Sequence, residues 1–565
     1  MVIKSQYSFP LPQVSLPTWI FDSPTAELPK TPAYISAKEP EKYFLTLHDY
    51  RLWSQRLAFG LRRSGLQPGD RVLLFSGNTL LFPSVVMGVI MAEGIFTGAN
   101  PTYVARELAY QLKDSGARYL ICAEGSLDTG VAAAKQIGMS ADHIFIFDDG
   151  TATFQGQKVE KNTEIGKVRH WTELVVSPET GSKYHWPNLS TKDELDRVVA
   201  LNYSSGTTGV AKGVMITHRN YVANCSQQVH MNSQHPAYAA KLSRKKLLCF
   251  LPMYHAMAQA QFVFNAMKQR VPVYMMSKFD FLEMLTYVQK YRITDLVLVP
   301  PVVVAMAKHP ATKKFDLSSV EAVNSGAAPL GREVSEEFEK LWPNGQVNVK
   351  QGWGMTEVTC AATTFSPAKR SESFSVGEVL ANCEAKIVLD DEGRVEAKQG
   401  ERGEIWVRGP NVMKGYWNKP EATRETLTAD GWLKTGDVAY VDKENHFFIV
   451  DRKKELIKVK GLQVAPAELE AMLLENADVQ DAAVIGVTIN EEELPRAYIV
   501  PQTPDKATPE VAESIKTWLA ERVSRHKRLE GGVHFIDAVP KNPSGKILRK
   551  QLRDQAALES TKAKL

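Results

Sequence analysis

Six short, almost uninterrupted apolar runs in the first 350 residues constrain the fold of this chain more than any other feature. The stretches between them, such as residues 281–291, carry apolar residues at three- and four-residue spacing, which predicts helices. Such runs are typical of strands buried on both faces, and their alternation with helices is typical of parallel sheets. We therefore predict an α/β fold. The six predicted strands are 71–75, 118–123, 143–147, 246–252, 271–275 and 295–300.

The pattern changes twice in the remainder of the sequence. From Val376 onward, short strands broken by Gly and Pro predict an antiparallel sheet or a small barrel-like β subdomain. After residue 451, a helix at 466–476, a strand at 481–488 and an amphipathic helix at 509–525 predict a further α+β unit. Thr508 is placed to cap the last of these helices.

We therefore expect a large N-terminal domain of mixed and parallel sheets, residues 1–451, and a small mobile C-terminal domain, residues 452–565. Lys and Arg number 68 against 64 Asp and Glu, so a net charge of +4 argues against nucleic-acid binding by bulk charge. The longest apolar stretch, 296–307, is too short for a transmembrane segment and predicts a buried strand followed by a helix. Five cysteines without a close pair indicate a reducing compartment.

Residues 203–213 combine three glycines, four Ser and Thr hydroxyls and one lysine between strand-like runs at 198–203 and 213–216. Glycines let backbone N–H groups approach an anion, and hydroxyls and a lysine add donors and charge. The segment therefore predicts a phosphate-binding loop. It lacks the Walker spacing of P-loop NTPases, because Ala211 stands where that motif has its second glycine. The predicted phosphate-binding residues are Ser204, Ser205, Gly206, Thr207, Thr208, Gly209 and Lys212.

Four further blocks follow this loop in a fixed order. Together the five blocks resemble the adenylate-forming (AMP-binding) superfamily, and in particular the 4-coumarate–CoA ligase-like acyl-CoA synthetases. The resemblance extends over nearly the whole chain. The five blocks are 203–213 (YSSGTTGVAKG), 351–357 (QGWGMTE), 431–437 (GWLKTGD), 451–461 (DRKKELIKVKG) and 542–547 (NPSGKI).

The resemblance implies how these blocks surround ATP. Trp353, between two glycines, corresponds to the aromatic residue that packs on adenine. Thr356 and Glu357 correspond to residues that bind a phosphate and a hydrated Mg²⁺, a cation that takes few protein ligands beside substrate phosphates. Asp437 and Arg452 correspond to residues that hold the ribose. The further nucleotide contacts that the resemblance implies are Ala327, Gln351, Gly352, Gly354, Lys458 and Gln463.

The resemblance also implies catalytic and mobile elements. Lys546 corresponds to the catalytic lysine that contacts the substrate carboxylate and the α-phosphate as charge develops. Lys454 corresponds to the hinge of the small domain, and Lys460 and Gly461 border coenzyme A. The four catalytic residues that we predict are Lys546, His255, Thr356 and Glu357.

The acyl pocket is where the chain departs from the hydroxycinnamate enzymes. His255 corresponds to a family histidine near the meeting point of acid and thiol, and Gly326 and Ala328 belong to a small-residue block along the acyl pocket. Two residues after the histidine, this chain has Met257 where those enzymes commonly have a tyrosine. Because Met is flexible, we expect a different or more tolerant pocket than a planar phenolic slot.

The last three residues, Ala563-Lys564-Leu565, are a close variant of the S-K-L peroxisomal address. We therefore expect recognition by the peroxisomal import receptor and a location in the peroxisomal matrix, with the cytoplasm as the alternative.

The predicted reaction is a two-step ligation. A carboxylate attacks MgATP to give acyl-AMP and pyrophosphate, and coenzyme A then displaces AMP. Three alternatives stay open at this point: a luciferase-like oxygenase on the same scaffold, an enzyme that loads a carrier protein in trans, and a non-catalytic nucleotide-binding protein. The sequence leaves the identity of the acid open.

Overall fold

The computed structural model describes residues 2–204, 211–460, 462–489, 492–542 and 545–562, and it confirms the α/β fold. A nine-stranded sheet holds three of the predicted strands at its centre. Its five central pairings are parallel, and the pairings toward its two edges are antiparallel. In spatial order its strands are Gly415–Tyr416, Lys212–Thr217, Val198–Ser204, Ile95–Ala99, Arg71–Phe75, Ala117–Ala123, Ile144–Phe147, Gly166–His170 and Lys161–Thr163.

A seven-stranded sheet holds the other three predicted strands and is parallel except at one edge pair. The predicted bounds 246–252, 271–275 and 295–300 are too long, because the apolar runs continue beyond the paired residues. The unpaired extensions contain Pro252, Pro272 and Pro300, which lack the amide hydrogen that a ladder needs. In spatial order the strands are Val349–Gln351, Ala322–Ser325, Asp295–Leu298, Leu247–Cys249, Val273–Met275, Pro32–Ser36 and Phe44–Thr46.

Most helices of this large part pack with both sheets into one apolar core, and Ala105–Ser115 and Leu127–Gln136 pack against the nine-stranded sheet in a second one. The helix Phe82–Met91 is buried at every position and lies close to Leu47–Arg63, since a Cβ on Gly88 would be 3.0 Å from the Cβ of Leu57. The other α-helices are Leu16–Phe21, Ala105–Ser115, Leu127–Gln136, Thr151–Phe154, Pro178–Ser182, Lys192–Leu195, His218–Ser233, Tyr238–Arg244, Ala256–Ala258, Ala266–Lys268, Phe281–Tyr291, Pro300–Lys308, Arg332–Glu339 and Pro420–Thr426, with a π-helical turn at Gln259–Asn265.

The predicted antiparallel sheet of the middle region is present. It has five strands, all paired antiparallel, and it is followed along the chain by the smaller C-terminal part. In spatial order the strands are Ile3–Lys4, Glu384–Val388, Gly403–Arg408, Leu433–Val441 and Phe447–Arg452; a separate two-stranded pair joins Thr363–Thr364 to Glu378–Val379.

The C-terminal part has an apolar core of its own and is of the predicted α+β kind. The predicted helices 466–476 and 509–525 are too long at their C-terminal ends, because tighter i→i−3 hydrogen bonds close the last turns. Thr508 caps the second helix as predicted, accepting a hydrogen bond from the Val511 amide at 3.3 Å. The elements are Ile457–Val459, Leu462–Val464, Pro466–Leu473, Val479–Ile489, Glu492–Pro501, Pro509–Ala520, Val533–Phe535 and Arg549–Lys562.

A direct polar contact joins the two parts. The ammonium of Lys308, at the end of Pro300–Lys308, donates to the carbonyl oxygens of Leu474 at 2.7 Å and Val479 at 3.3 Å. The domain boundary at residue 451 stays a prediction. All five cysteines are free thiols, and no helix in the described ranges is long and apolar enough to cross a membrane.

Candidate active site

Hydrogen bonds from outside the predicted phosphate-binding loop hold both of its flanks. Residues 205–210, which include five of the seven predicted loop residues, lie outside the described residues. On one flank, the Tyr203 hydroxyl donates to Asp114 at 2.7 Å, and the ammonium of Lys419 pairs with the same carboxylate. On the other flank, the Tyr110 hydroxyl donates to the Ala211 carbonyl at 2.9 Å. The two strands that carry the loop are therefore fixed to one helix, Ala105–Ser115.

The carboxylate of Glu357 lies beside Ser204, the last described residue before the loop. It is buried, and its Oε1 accepts hydrogen bonds from the Ser204 hydroxyl at 3.1 Å and from the Tyr416 hydroxyl at 2.9 Å. Lys212 lies over the Tyr416 ring, 4.7 Å from its centroid. Burial, together with the neighbouring Glu357 charge, raises the pKa of Tyr416, so its phenol stays a hydrogen-bond donor. The Glu357 carboxylate is therefore held in one orientation beside Thr356 and the loop.

This arrangement fits a hydrated Mg²⁺ held mainly by phosphate oxygens. One oriented carboxylate beside the hydroxyl of Ser204 matches a cation that uses one or two protein carboxylates and several waters. The described ranges hold no group of three or more His, Cys, Asp or Glu side chains that could hold a metal, so an all-protein cage is not formed there.

A second cluster of polar side chains surrounds the carboxylate of Asp437. The indole N–H of Trp353 donates to Asp437 Oδ2 at 2.8 Å, and Arg452 Nε lies 3.5 Å from Asp437 Oδ1. Asp437 and Arg452 are register partners in neighbouring strands, which places them side by side. Burial raises the pKa of Asp437, and Arg452 and the Trp353 hydrogen bond oppose that rise. The structure thus joins the predicted adenine and ribose residues in one cluster.

Lys546 completes the cluster from the C-terminal part. It lines both cavities described below, and burial, followed by the charge of Arg452, lowers its pKa to about 8. The carboxylates of Asp437 and Glu357 act in the opposite direction. At neutral pH the Lys546 side chain is mostly protonated, so it is a largely buried cation within the electrostatic influence of both Asp437 and Glu357.

Two cavities meet at this cluster. The larger, of about 1670 Å³, runs from the phosphate-binding side past His255 and Met257. The smaller, of about 890 Å³, lies between the N-terminal and C-terminal parts. Trp353, Gly352 and Lys546 line both. Gly326 lines the larger cavity as predicted, whereas Ala328 instead lines the smaller one.

His255 and Met257 follow the strand Leu247–Cys249 and lie in the wall of the larger cavity. His255 Nε2 is buried and has no hydrogen-bond partner among the described residues, and burial lowers the pKa of the ring to about 4. The imidazole is therefore neutral at physiological pH. Met257 Sδ would be 3.4 Å from a Cβ placed on Gly326, so these two residues are direct neighbours in the wall of the larger cavity.

Several residues that were predicted to contact the nucleotide also have a role in packing or in the backbone conformation. A Cβ on Gly354 would lie 1.9 Å from the Cys360 carbonyl oxygen, so only glycine fits there. The Gln351 side chain exchanges two hydrogen bonds with the backbone of Leu330, at 3.0 and 3.2 Å, and is buried. Ala327 adopts a φ of +73°, an unusual conformation at the edge of both cavities.

The structure places the predicted coenzyme A segment away from both cavities. Within the ranges that are described, Lys458, Lys460 and Gln463 are exposed members of a small hairpin and line neither cavity. Lys460 pairs with Glu492 at 3.4 Å. The structure therefore does not bring Lys458 and Gln463 to the nucleotide cluster in this domain orientation. Gly461 and the tripeptide 563–565 lie outside the described residues.

The predicted hinge residue, Lys454, lies in an exposed turn directly after the strand Phe447–Arg452. Sequence reasoning missed the roles of Tyr416, Asp114 and Lys419. Tyr416 and Lys419 belong to a GYWNKP segment that carried only a strand signal, and Asp114 is an ordinary charged residue without a motif.

Comparisons with known proteins give the same class of enzyme as the fold and the site. The AMP-binding enzyme family matches residues 21–417, and the AMP-binding enzyme C-terminal domain matches residues 468–546. In fold, the chain is similar to an anthranilate CoA ligase, AuaEII, solved with anthranoyl-AMP, with a TM-score of 0.81, 21% identity and coverage of 98% of this chain and 99% of that one.

Three curated relatives align over most of both chains. Phenylacetyl-CoA ligase epaB of Aspergillus niger is 36% identical over 98% of this chain and 99% of that protein. A 4-coumarate-CoA ligase of Narcissus pseudonarcissus is 37% identical (91% and 89%), and a peroxisomal OPC-8:0-CoA ligase of Arabidopsis thaliana is 35% identical (92% and 90%). The chain belongs to the AMP-binding enzyme family. Within it, the chain is an adenylate-forming enzyme similar to the 4-coumarate–CoA ligases, which confirms the resemblance carried by the five motifs.

Proposed function

We propose that this protein is an ATP-dependent acyl-CoA ligase, an acid–thiol ligase that forms AMP. A carboxylate oxygen attacks the α-phosphorus of ATP and pyrophosphate leaves, giving acyl-AMP. The thiol of coenzyme A then attacks the acyl carbon, loses its proton and releases AMP, giving the thioester. The observation that carries the proposal is the convergence of Lys546, Glu357 and the Trp353–Asp437–Arg452 cluster on one cavity beside the phosphate-binding loop.

In the first step, Lys546 supplies positive charge where the carboxylate and the α-phosphate meet. Phosphoryl-type transfer needs positioning and electrostatic stabilisation more than covalent chemistry from the protein. A cation that is mostly removed from water and already flanked by carboxylates needs little rearrangement to do this. Thr356 is placed to donate to a phosphate, and Asp437 with Arg452 to hold the ribose.

Glu357 would hold Mg²⁺, which supplies charge neutralisation for the phosphates when it is bound. Ser204 and Tyr416 orient the carboxylate for this role through their hydrogen bonds to Oε1. Loss of a residue that orients a metal ligand typically lowers metal affinity or activity about 10- to 100-fold.

The second step uses a different face of the small domain. Lys458, Lys460, Gly461 and Gln463 would reach the cavity only after a rotation about Lys454, which fits the exposed position of the described members of this hairpin. One site cannot hold pyrophosphate and admit a thiol at the same place, so alternation between two orientations is physically sensible. The neutral imidazole of His255 contributes a hydrogen bond where acid and thiol meet.

The preferred acid is a medium-chain or aryl-alkanoic acid rather than 4-coumarate, because flexible Met257 closes the pocket where a planar phenol would need a fixed slot. The testing experiment is a pyrophosphate-release screen of the purified protein against a panel of carboxylic acids, with and without coenzyme A. One methylene in an apolar pocket is worth about 1–3 kcal/mol, so a chain-length series should show a clear optimum. A sharp maximum at 4-coumarate would contradict this choice of acid.

We place the protein in the peroxisomal matrix, where its import receptor would recognise Ala563-Lys564-Leu565. A fluorescent protein fused to the N-terminus should appear in puncta, and deletion of the last three residues should make it diffuse. A full-length fusion that is already diffuse would instead support the cytoplasm.

A further inference from the structure

One face of the seven-stranded sheet forms a wall of the larger cavity and leads away from the reaction site. Gly326 and Gly352, at the carboxyl ends of their strands, lie next to Met257 and the nucleotide cluster. Two residues earlier in each strand come Asn324 and Lys350, which are direct register partners. Side chains two residues apart share a face at a separation of roughly 7 Å. The cavity wall therefore changes from small residues near the nucleotide cluster to an amide and an ammonium farther from it.

Val297 pairs with Asn324 in the next strand, so the three residues form one row across the sheet, and all three line the cavity. Asn324 is exposed to the cavity, and its side-chain amide has no hydrogen-bond partner in the part of the chain that is described. Polar side chains from the helical side face the same space. They are Gln228, Asn232, Gln261 and Asn265, of which Asn265 is buried with an Oδ1 that has no partner among the described residues.

The charges at this end of the cavity do not balance. Lys350 donates to the carbonyl oxygens of Ser366 at 3.2 Å and Pro367 at 2.6 Å, yet has no carboxylate within ion-pair distance in the described ranges. Lys241, which lines the cavity near Lys350, also has no carboxylate within ion-pair distance in the described ranges. The acidic residues at this end are already paired, Asp295 with Lys245 at 3.0 Å and Glu321 with Arg244.

The surroundings of Lys350 agree with a missing counter-ion. Burial, followed by repulsion from Lys241 and Arg370, lowers the pKa of Lys350 to about 8. Arg370 is itself near Glu339, at 3.8 Å. A largely buried ammonium with another lysine as its neighbour is costly unless an anion joins it.

We infer that the acyl pocket accepts an acid with a second carboxylate, which Lys350 and Asn324 bind while the first carboxylate is activated at Lys546. This inference rests on the proposed ligase function and narrows its substrate class. The two carboxylates would be roughly 7 Å apart or more, given the strand spacing between the two rows. Shorter diacids would leave the second carboxylate beside Gly326, away from both lysines.

The test compares octanedioate with octanoate, which match in chain length and differ in the second carboxylate. The measured quantity is the ratio of their kcat/KM values for pyrophosphate release. We expect the wild type to favour the diacid about tenfold or more, since a hydrogen bond to a charged group that is lost costs roughly 10- to 100-fold. Lys350→Met should reduce the ratio by that factor, and Lys350→Arg should retain most of it.

Lys241→Met provides a second variant should Lys350→Met fold poorly, and it should lower the ratio by several-fold. Lys369→Met is the matched control, because Lys369 is already paired with Glu378 at 3.4 Å and the ratio should not change. A wild-type ratio of one or below, or a ratio unaffected by both Lys350→Met and Lys241→Met, overturns the inference. If the wild type activates monoacids but gains nothing from the second carboxylate, the ligase function stands and only the inference fails. If no acid in the panel releases pyrophosphate, the proposed function itself fails.

Discussion

Replacing Lys546 by Ala should separate the two half-reactions. In this structure the ammonium is mostly buried and lies in the field of Asp437, Glu357 and Arg452, so it is already in place for the transition state. Loss of one such preorganised charge partner typically costs about 10²–10³ in rate, or roughly 3–4 kcal/mol. We therefore expect acyl-AMP formation to fall by at least about two orders of magnitude, with the acid and ATP each supplied at saturation.

The second half-reaction should behave differently, because it is assigned to the hairpin with Lys458 and Lys460. Supplied with synthetic acyl-AMP and coenzyme A, Lys546→Ala should form thioester at close to the wild-type rate. Pyrophosphate release and thioester absorbance, measured on the same preparation, give the two rates. Lys516→Ala is the control, since Lys516 lies on the helix Pro509–Ala520 near Glu513 and away from both cavities. If Lys546→Ala slows both steps equally, the assignment of the two steps to two domain orientations is wrong.

Three further predictions follow from the same site. The rate of acyl-AMP formation should fall as the pH rises through about 8, because burial lowers the pKa of Lys546 to that value and only its protonated form carries the charge; a pH profile of pyrophosphate release that rises there would contradict this. Tyr416→Phe removes one hydrogen bond to Glu357 and should raise the Mg²⁺ concentration for half-maximal rate, on the order of tenfold. An unchanged Mg²⁺ titration would contradict the proposal that Glu357 holds the metal. Gly461→Trp and Lys454→Pro should both spare pyrophosphate release and slow thioester formation from acyl-AMP, and equal loss in both assays would argue against a hinge at this turn.

The parts of the molecule that the sequence predicted are those with a local signal. The central parallel strands are almost continuously apolar, as in Arg71–Phe75, where all four residues after the arginine are apolar and buried, and that pattern has few alternatives. Strand ends were less predictable where a proline interrupts an apolar run, because hydrophobicity continues past the last ladder hydrogen bond. The run at 246–252 forms a strand only over Leu247–Cys249 for this reason.

Within the site, the residues inside motifs were predictable and their supports were not. Trp353 and Asp437 each belong to a motif, so the sequence identified both residues. It did not predict the hydrogen bond between them. Asp114 and Lys419 are 305 positions apart, and nothing in the sequence around either residue indicates that they pair. Pairs of this kind depend on tertiary packing, which no local pattern encodes. The charge imbalance at Lys350 is likewise visible only once the paired acidic residues are placed in space.

The contact of Lys308 with the carbonyl oxygens of Leu474 and Val479 has a consequence for the order in which substrates bind. A hydrogen bond from a charged group is worth about 1.5 kcal/mol at the low end of its range, which corresponds to roughly a tenfold preference for the domain arrangement that contains it. The resting enzyme therefore populates mainly the domain arrangement that places Lys546 at the nucleotide cluster. ATP and the acid then bind to a site that is already formed, while coenzyme A binds only after pyrophosphate has left, so we expect ping-pong steady-state kinetics.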